Sequence, residues 1–393
     1  MTFPPWPHYE EEEIIAAQEV ITSGKVNYWT GTKGRNFEKE FANWCGTNYA
    51  VALANGSVSL TAAYKALDLK EGDEIITTPR TFIATASSAA ILGIKPVFAD
   101  VDRNSGNISA DTIEKLINPK TKAISVVHLG GWPADMKAIC DLSSEYGLLV
   151  VEDCAQAHGA SIDGKKVGSF GDIASWSFCN DKIMSTLGEG GMVTTNSENL
   201  YEFVWSFKDH GKDFKLVNKN ENLPGYKWLH ADFGTNFRLT EIQSAIGSIQ
   251  LKKLSKWHKI RKRNAKILYE TLKGINYLRI PMPETNYDHA WYKFYCYLNQ
   301  NHFRSGWGRT RIVQEINKRG YPAFHGGCSE VYLEKCFKNS DFDNKNYLIN
   351  ARELGETSLM FLVHPTINEE IMTDYSETIR KIIDEALVSD NCI

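Results

Sequence analysis

Short apolar runs alternate with segments of helical periodicity over the first 200 residues of the chain. This alternation predicts an α/β fold, with a mainly parallel seven-stranded sheet flanked by helices on both faces. Helices are predicted at residues 58–67, 82–92 and 134–146, where apolar positions recur with helical spacing. The seven predicted strands are residues 49–54, 74–78, 96–100, 123–127, 148–153, 174–178 and 192–195.

The pattern changes after Gly234. Residues 239–272 predict one long or kinked helix, whose basic stretch between Lys252 and Lys266 is interpreted as a solvated face. Short strands and helices follow from about Tyr277. We therefore expect a large α/β domain at residues 1–250 and a smaller C-terminal α+β domain at residues 251–393, and the Asn-rich residues 218–226 predict a loop.

Composition restricts the classes of partner. The chain has 393 residues, is 42% hydrophobic and carries a formal charge of -4, which predicts a globular protein without the basic field that nucleic acids or anionic membranes attract. No apolar run reaches the roughly 18 residues of a membrane helix, and the first residues lack the pattern of a signal peptide. The eight cysteines are scattered without the spacing of a zinc site, so we expect reduced thiols, a cytoplasmic protein and no bound metal.

Lys182 is the residue with the clearest chemical context. It lies in a mostly apolar stretch before the glycine-rich residues 188–191, and Asp153 ends the predicted strand 148–153. A lysine amine that forms a Schiff base, together with a carboxylate that keeps a pyridine nitrogen protonated, is what pyridoxal phosphate requires. The competing interpretation is an exposed ion pair between Lys182 and its neighbour Asp181.

A phosphate site is predicted where the first strand passes into a helix. Gly56, Ser57 and Val58 place backbone N–H groups and a hydroxyl at this junction, and Ser177 adds a second hydroxyl. An ordinary helix cap at Ser57 would give the same pattern. Phe82, at the start of another predicted helix, could stack on a pyridine ring or belong to the core.

Five segments carry a resemblance to a known family: residues 37–42, 152–160, 177–191, 210–211 and 234–243. Their order and spacing identify the chain as similar to the DegT/DnrJ/StrS family of pyridoxal-phosphate sugar aminotransferases. The main departure is Asn55-Gly56-Ser57-Val58-Ser59-Leu60, where relatives often have Ser-Gly-Thr-Ala-Ala-Leu.

The resemblance implies a homodimer of fold type I with shared active sites, and it implies a role for each matching residue. Lys182 would be the Schiff-base lysine and the proton shuttle, and Asp153 would bind the pyridine nitrogen. Gln156 would contact the cofactor face or its phenolic oxygen, and Phe82 would cover the ring. The phosphate contacts would be Gly56, Ser57 and Ser177, with Asn236 from the neighbouring subunit.

The resemblance also implies a reaction. L-Glutamate would donate the amino group, and the acceptor would be a keto carbon, C4 by preference, of a nucleotide-linked keto-deoxy sugar used for lipopolysaccharide O-antigen or another surface glycan. Candidate sugar-binding residues are Trp29, Thr30, His325 and Glu330, which interface or core roles would explain equally well.

Other functions are left open as alternatives. They are amination at C3, a non-catalytic or regulatory member of the family, and a dehydratase, although family dehydratases carry His in place of the lysine. A nicotinamide oxidoreductase would need a GxGxxG turn after the first strand, and none is present there.

Overall fold

The computed structural model describes residues 3–219, 228–342 and 347–387. Residues 220–226 of the predicted loop therefore lie outside the described residues. The helices are α1 Glu11–Ser23, α2 Lys33–Cys45, α3 Gly56–Ala66, α4 Ala84–Ala90, α5 Ala110–Glu114, α6 Met136–Tyr146, α7 Glu198–Phe207, α8 Phe214–Asn218, α9 Glu241–Leu272, α10 Arg309–Lys318, α11 Lys335–Lys338, α12 Ile349–Thr357 and α13 Glu369–Ala386. Short 3₁₀ helices span Leu129–Gly131, Gln300–His302 and Val331–Leu333.

The strands form three sheets. In chain order they are β1 Tyr49–Leu53, β2 Glu74–Thr77, β3 Lys95–Phe98, β4 Thr121–Val127, β5 Leu149–Asp153, β6 Ser161–Ile162, β7 Lys165–Lys166, β8 Ile173–Ser177, β9 Gly191–Thr195, β10 Leu278–Arg279, β11 Tyr287–Asp288, β12 Phe294–Leu298, β13 Ala323–Phe324 and β14 Ser358–Phe361. The large sheet has seven strands in the order β1-β9-β8-β5-β4-β2-β3, which confirms the prediction of a mainly parallel seven-stranded sheet.

One strand of the large sheet runs against the others. β9 pairs antiparallel with both β1 and β8, whereas β8, β5, β4, β2 and β3 pair in parallel. The connection from β8 to β9, residues 178–190, contains no helix and does not cross the sheet, so the chain returns antiparallel beside the strand it has just left. Lys182 lies on this connection. Because β5 and β8 are parallel, Asp153 and Ser177 end their strands at the same edge of the sheet.

The predicted long helix is confirmed as α9, a single helix of 32 residues. Thr240 and Gln243 form a capping box at its start, and the carboxylate of Glu241 accepts hydrogen bonds from the backbone of Lys33 and Gly34 on α2. No helix in the described ranges is both long and apolar enough to cross a lipid bilayer.

A second core lies around the smaller sheet β10-β12-β14-β13. Its buried side chains come from the end of α9, from β12 and β14, and from α10 and α13. Buried residues of two described stretches, 331–337 and 348–354, pack instead with the large sheet. Because α9 runs without a break through residue 250, the division into domains at that position stays a prediction.

A buried ion pair connects α2 with the end of α7. The Lys208 ammonium lies 2.9 Å from a carboxylate oxygen of Glu38, and both side chains are almost fully buried. Glu38 also accepts hydrogen bonds from the Tyr28 hydroxyl and from the backbone N–H of Ala52 on β1. This carboxylate therefore neutralises a buried cation and fixes α2 against the sheet edge.

Glu38→Gln is expected to lower the free energy of unfolding by about 3–5 kcal/mol, because it leaves the Lys208 charge buried without a counter-charge. Urea denaturation measures this difference. The control is Asp141→Asn, which breaks an exposed pair with Lys137 and should change stability by about 0.5 kcal/mol or less. Equal effects of the two substitutions would show that the buried pair is not a structural requirement.

Candidate active site

A cavity of about 520 Å³ lies beyond the carboxyl ends of β5 and β8. Parallel sheets bind ligands at this edge, because the loops that follow the strands converge there. The cavity brings together eight of the nine residues predicted to bind the cofactor: Gly56, Ser57, Val58, Phe82, Asp153, Gln156, Ser177 and Lys182.

Asp153 is the buried acid of this cavity. One carboxylate oxygen accepts a 2.7 Å hydrogen bond from the Thr85 hydroxyl, and the other accepts a 3.1 Å bond from the backbone N–H of Ala155. Burial raises the pKa of Asp153 above its ordinary value, although these hydrogen bonds and the nearby Lys182 act in the opposite direction. No cation of the described part of the chain forms an ion pair with this carboxylate, and the N–H of a protonated pyridine ring would supply one.

Three residues surround Lys182: two lie near its amine, and one binds its backbone. Its amine lies 3.5 Å from the Asp181 carboxylate and 5.3 Å from the centre of the Tyr292 ring. The Tyr292 hydroxyl donates a hydrogen bond to Asp181, and the Trp6 indole N–H donates a 2.7 Å bond to the backbone carbonyl of Lys182. The ion pair with Asp181 is present, but its two partners differ: 57% of the Asp181 side chain is exposed and only 15% of the Lys182 side chain, so the amine is the buried partner.

The start of α3 forms the other end of the cavity. The Asn55 side chain caps the helix by accepting from the backbone N–H of Val58, which leaves the earlier N–H groups of Gly56 and Ser57 for a ligand. Gly56 packs so closely on β8 that an added Cβ would lie 2.6 Å from Cβ of Ser177. The glycine thus brings two backbone donors and two serine side chains together, an arrangement that suits a phosphate group.

Two predicted residues border the cavity in different ways. The Gln156 carbonyl accepts a 2.8 Å hydrogen bond from the backbone N–H of Gly130, which fixes its side chain at the cavity wall. Phe82 precedes α4 and is 68% exposed, so it is not a core residue of this chain. Its ring is available to cover a flat ligand in the cavity.

Another buried carboxylate supports the strand that carries Asp153. Glu152 binds the His128 ring at 3.1 Å and accepts backbone N–H groups from Gly168, Phe170 and Gly171. Burial tends to raise the pKa of Glu152, but these bonds outweigh it and the pKa lies below its usual value. These hydrogen bonds fix the segment after β7 to β5, directly behind the cavity.

The remaining predicted residues lie outside the cavity in this chain. Asn236 is exposed and forms a backbone bridge with Asp209. The Trp29 indole donates to the Asp209 carboxylate, and the Thr30 hydroxyl bonds within its own turn. The other two are His325, which is exposed, and Glu330, which accepts from Tyr332.

Sequence reasoning missed several residues of the site, notably Thr85, Trp6, Tyr292 and Asn55. Asn55 had a readable signal, because Asn before a helix is a common N-cap. Thr85 and Asp153 are 68 positions apart, and Trp6 and Lys182 are 176 apart. Contacts over such distances leave no local pattern in one sequence.

The residues of the cavity fit pyridoxal phosphate. They provide an amine at Lys182, a buried carboxylate for a ring nitrogen at Asp153, and a phosphate cradle at Gly56 whose space a larger residue would fill. The cavity volume is also within the range of small-molecule sites.

The comparisons with known proteins agree with this geometry. Residues 7–380 match the DegT/DnrJ/EryC1/StrS aminotransferase family. The UDP-N-acetyl-3-dehydro-alpha-D-glucosamine 3-aminotransferase of Acidithiobacillus ferrooxidans is 38% identical over 370 residues, which cover 93% of this chain and 94% of the relative. The X-ray structure of the aminotransferase from Psychrobacter cryohalolentis shares 47% identity and a TM-score of 0.95, covering 97% of this chain and 99% of that one.

A structural neighbour with a different activity is also similar. The crystal structure of a mutant GDP-4-keto-6-deoxymannose-3-dehydratase with bound GDP-perosamine shares 26% identity and a TM-score of 0.85, covering 94% of this chain and 98% of that one. The family match and the high similarity to aminotransferases confirm the family, the fold type and the cofactor predicted from the sequence. The chain belongs to the DegT/DnrJ/EryC1/StrS aminotransferase family and is a pyridoxal-phosphate-dependent aminotransferase of fold type I.

Proposed function

We propose that this protein transfers the amino group of L-glutamate to the C4 ketone of a nucleotide-linked keto-deoxy sugar in surface-glycan biosynthesis, of which lipopolysaccharide O-antigen is one kind. The observation that carries the aminotransferase chemistry is that Lys182 and the buried Asp153 line one cavity with a phosphate cradle. The similarity to a named nucleotide-sugar aminotransferase supports the acceptor class. The products would be 2-oxoglutarate and the amino sugar.

Each side chain has a defined task in this reaction. Bound pyridoxal phosphate supplies an aldehyde that takes up the amino group and a ring that accepts electrons from the donor α-carbon. The amine of Lys182 is the base placed to remove the α-proton of the donor and to deliver a proton in the second half-reaction. Asp153 holds the ring nitrogen protonated, and the Trp6 hydrogen bond fixes the lysine backbone.

We further propose that two copies of the chain build each site. Phe82 and Phe233 are 68% and 97% exposed, which is unusual for large apolar side chains. A second copy would cover such a surface and would bring the exposed Asn236 to the cofactor phosphate of its partner. Trp29, Thr30, His325 and Glu330 keep their proposed sugar-binding role only in such an assembly, because none lines the Lys182 cavity of its own chain.

Amination at C3 is the second candidate. It is favoured by the relative from Acidithiobacillus ferrooxidans, whose name specifies a 3-aminotransferase. The non-catalytic alternative is opposed by the joint presence of Asp153, Gln156 and Lys182 in one cavity. The dehydratase alternative is opposed by the lysine itself. The reaction proposed for the site is therefore amino transfer, with the position on the sugar as the point to be tested.

Lys182→Ala should abolish the visible absorption band that arises when the lysine amine is joined to the cofactor aldehyde. In the unchanged protein, borohydride should bleach this band, because it reduces the imine to a stable amine. Amino transfer should fall by about 100-fold or more with loss of the base. Absorption spectra before and after borohydride provide the measurement, with Lys137→Ala on the exposed surface as control. An unchanged, borohydride-sensitive band in Lys182→Ala would refute the assignment.

Asp153→Asn should keep the cofactor bound while slowing the glutamate half-reaction by roughly 100- to 1000-fold, the typical cost of one electrostatic contact to developing charge. The neutral amide accepts the same Thr85 hydrogen bond but cannot hold a proton on the ring nitrogen. Stopped-flow absorbance gives the rate, and the visible band reports occupancy. Full activity of the variant would contradict the role of this carboxylate.

A panel of nucleotide-linked 3-keto and 4-keto sugars tests the acceptor. We expect turnover of the 4-keto members with L-glutamate, detected by mass spectrometry as a ketone converted to an amine. Turnover of the 3-keto members alone would establish the second candidate. Amination of none of them, by protein that still converts L-glutamate to 2-oxoglutarate, would remove the sugar from the proposal.

A further inference from the structure

A second cavity of about 410 Å³ adjoins the first. The two meet at Asp181, which lines both. Phe3 and Trp6 of the N-terminal segment form one wall of the second cavity, and Lys293, Asn317 and His364 supply its other polar groups. Neither the catalytic lysine nor the cofactor cradle contributes to it, so its chemistry is separate from that of the cofactor site.

Lys293 is the cation of this second cavity. Within the described residues it forms no ion pair, and its ammonium lies 4.6 Å from the centre of the Tyr292 ring. Burial lowers the pKa of Lys293 to about 8; Asp181 opposes this change, while Arg261 and Lys182 add to it. The side chain is thus a largely desolvated amine whose local environment provides too little negative charge.

The other charged groups nearby are already engaged. Asp181 is bound by the Tyr292 hydroxyl and lies beside the Lys182 amine. Burial lowers the pKa of His364 to about 3, so this side chain is neutral and offers no charge of either sign. An anion that enters the second cavity would therefore find one available cation, Lys293.

The position of Lys293 is fixed by its backbone. Its N–H donates to the carbonyl of Gly130, and the buried Arg261 guanidinium on α9 donates to the carbonyls of Trp291 and Tyr292 just before it. Gly130 also donates to Gln156 at the wall of the first cavity. The same backbone segment therefore links the amine of the second cavity to the cofactor site.

We propose that Lys293 binds the distal carboxylate of a dicarboxylic amino donor whose α-carbon lies at Lys182. This inference rests on the proposed function, and it identifies what selects the donor. Lys182 and Lys293 each line a cavity that Asp181 also lines, and their amines lie 5.3 Å and 4.6 Å from the centre of the same Tyr292 ring. The two amines are therefore close enough for one short dicarboxylic amino acid to place one end near each. A single carboxylate matches the single charge of Lys293, whereas a sugar diphosphate carries at least two charges.

The test compares two donors of equal length in the pyridoxal-phosphate-loaded protein. L-Glutamate and L-norvaline differ in that a methyl group of norvaline replaces the distal carboxylate. Lys293→Met should raise the half-saturating concentration of L-glutamate by roughly 10- to 100-fold, the effect of losing one charge-assisted hydrogen bond. The value for L-norvaline should change less than about twofold. Lys293→Arg, which keeps the charge, should retain most of the preference for L-glutamate.

A second experiment measures binding without turnover. Calorimetry should show that glutarate, a dicarboxylate without an amine, binds the unchanged protein and loses roughly 10- to 100-fold in affinity in Lys293→Met. Inorganic pyrophosphate stands for the sugar diphosphate and should bind both proteins equally. The matched control is Lys95→Met, which removes a lysine of β3 that pairs with Glu74 and lines neither cavity; it should change the half-saturating concentration of neither donor.

Each contrary result would overturn the inference. Equal losses for L-glutamate and L-norvaline would mean that Lys293 has only a structural role, and weakened pyrophosphate binding would assign the amine to the sugar diphosphate. If glutarate did not bind the unchanged protein, the proposed carboxylate site at Lys293 would be refuted. Neither experiment uses a sugar, so both can be interpreted even if the proposed acceptor is wrong. The visible absorption band shows whether each variant still holds its cofactor.

Discussion

The buried carboxylate of Asp153 is the constraint on which the active site depends. It ends a central strand at a buried position, and its two hydrogen-bond donors, Thr85 and the backbone of Ala155, are both uncharged. A desolvated anion without a cation in contact is unfavourable, which is why its pKa lies above the ordinary value. A protonated ring nitrogen removes this penalty, so cofactor binding and stability of the folded protein are expected to be coupled.

The sequence predicted the parts of the fold that local patterns determine. The strands of the large sheet are buried along most of their length, apart from β3, where buried and half-buried residues alternate. Most of them contain a short apolar stretch such as Ala50–Leu53 or Leu149–Val151, so all seven were found. The antiparallel direction of β9 was not predicted, because it depends on the path that residues 178–190 take between β8 and β9, which no local pattern specifies. The meeting of Asp153 with Lys182 could be expected from the rule that strand ends converge, whereas Thr85, Trp6 and Lys293 reach the site through contacts that no spacing encodes.

Lys182 is held by the N-terminal segment and by residues on and after α9. Trp6 binds its backbone carbonyl, and the face of the Trp6 ring lies 5.1 Å from the guanidinium of Arg261 on α9. Arg261 in turn holds the carbonyls of Trp291 and Tyr292, and Tyr292 contacts Asp181. The large sheet carries Asp153 and Ser177, while the N-terminal segment and the segment that contains Tyr292 hold Lys182 and Asp181. The cavity is therefore held together by segments that lie far apart along the chain.

A shared fold does not determine which reaction a protein catalyses, since an aminotransferase and a dehydratase both superimpose closely on this chain. The difference must lie in a few side chains near the transferred proton. A lysine can join the cofactor aldehyde and also move a proton, and here its amine is kept close to one carboxylate by the Tyr292 hydroxyl. The donor contact that we propose at Lys293 would add a choice between donors without altering the base, because Lys293 lines the second cavity and Lys182 the first. Under that proposal catalysis and donor selection would vary independently around Asp181, and such separation allows one scaffold to serve many substrates.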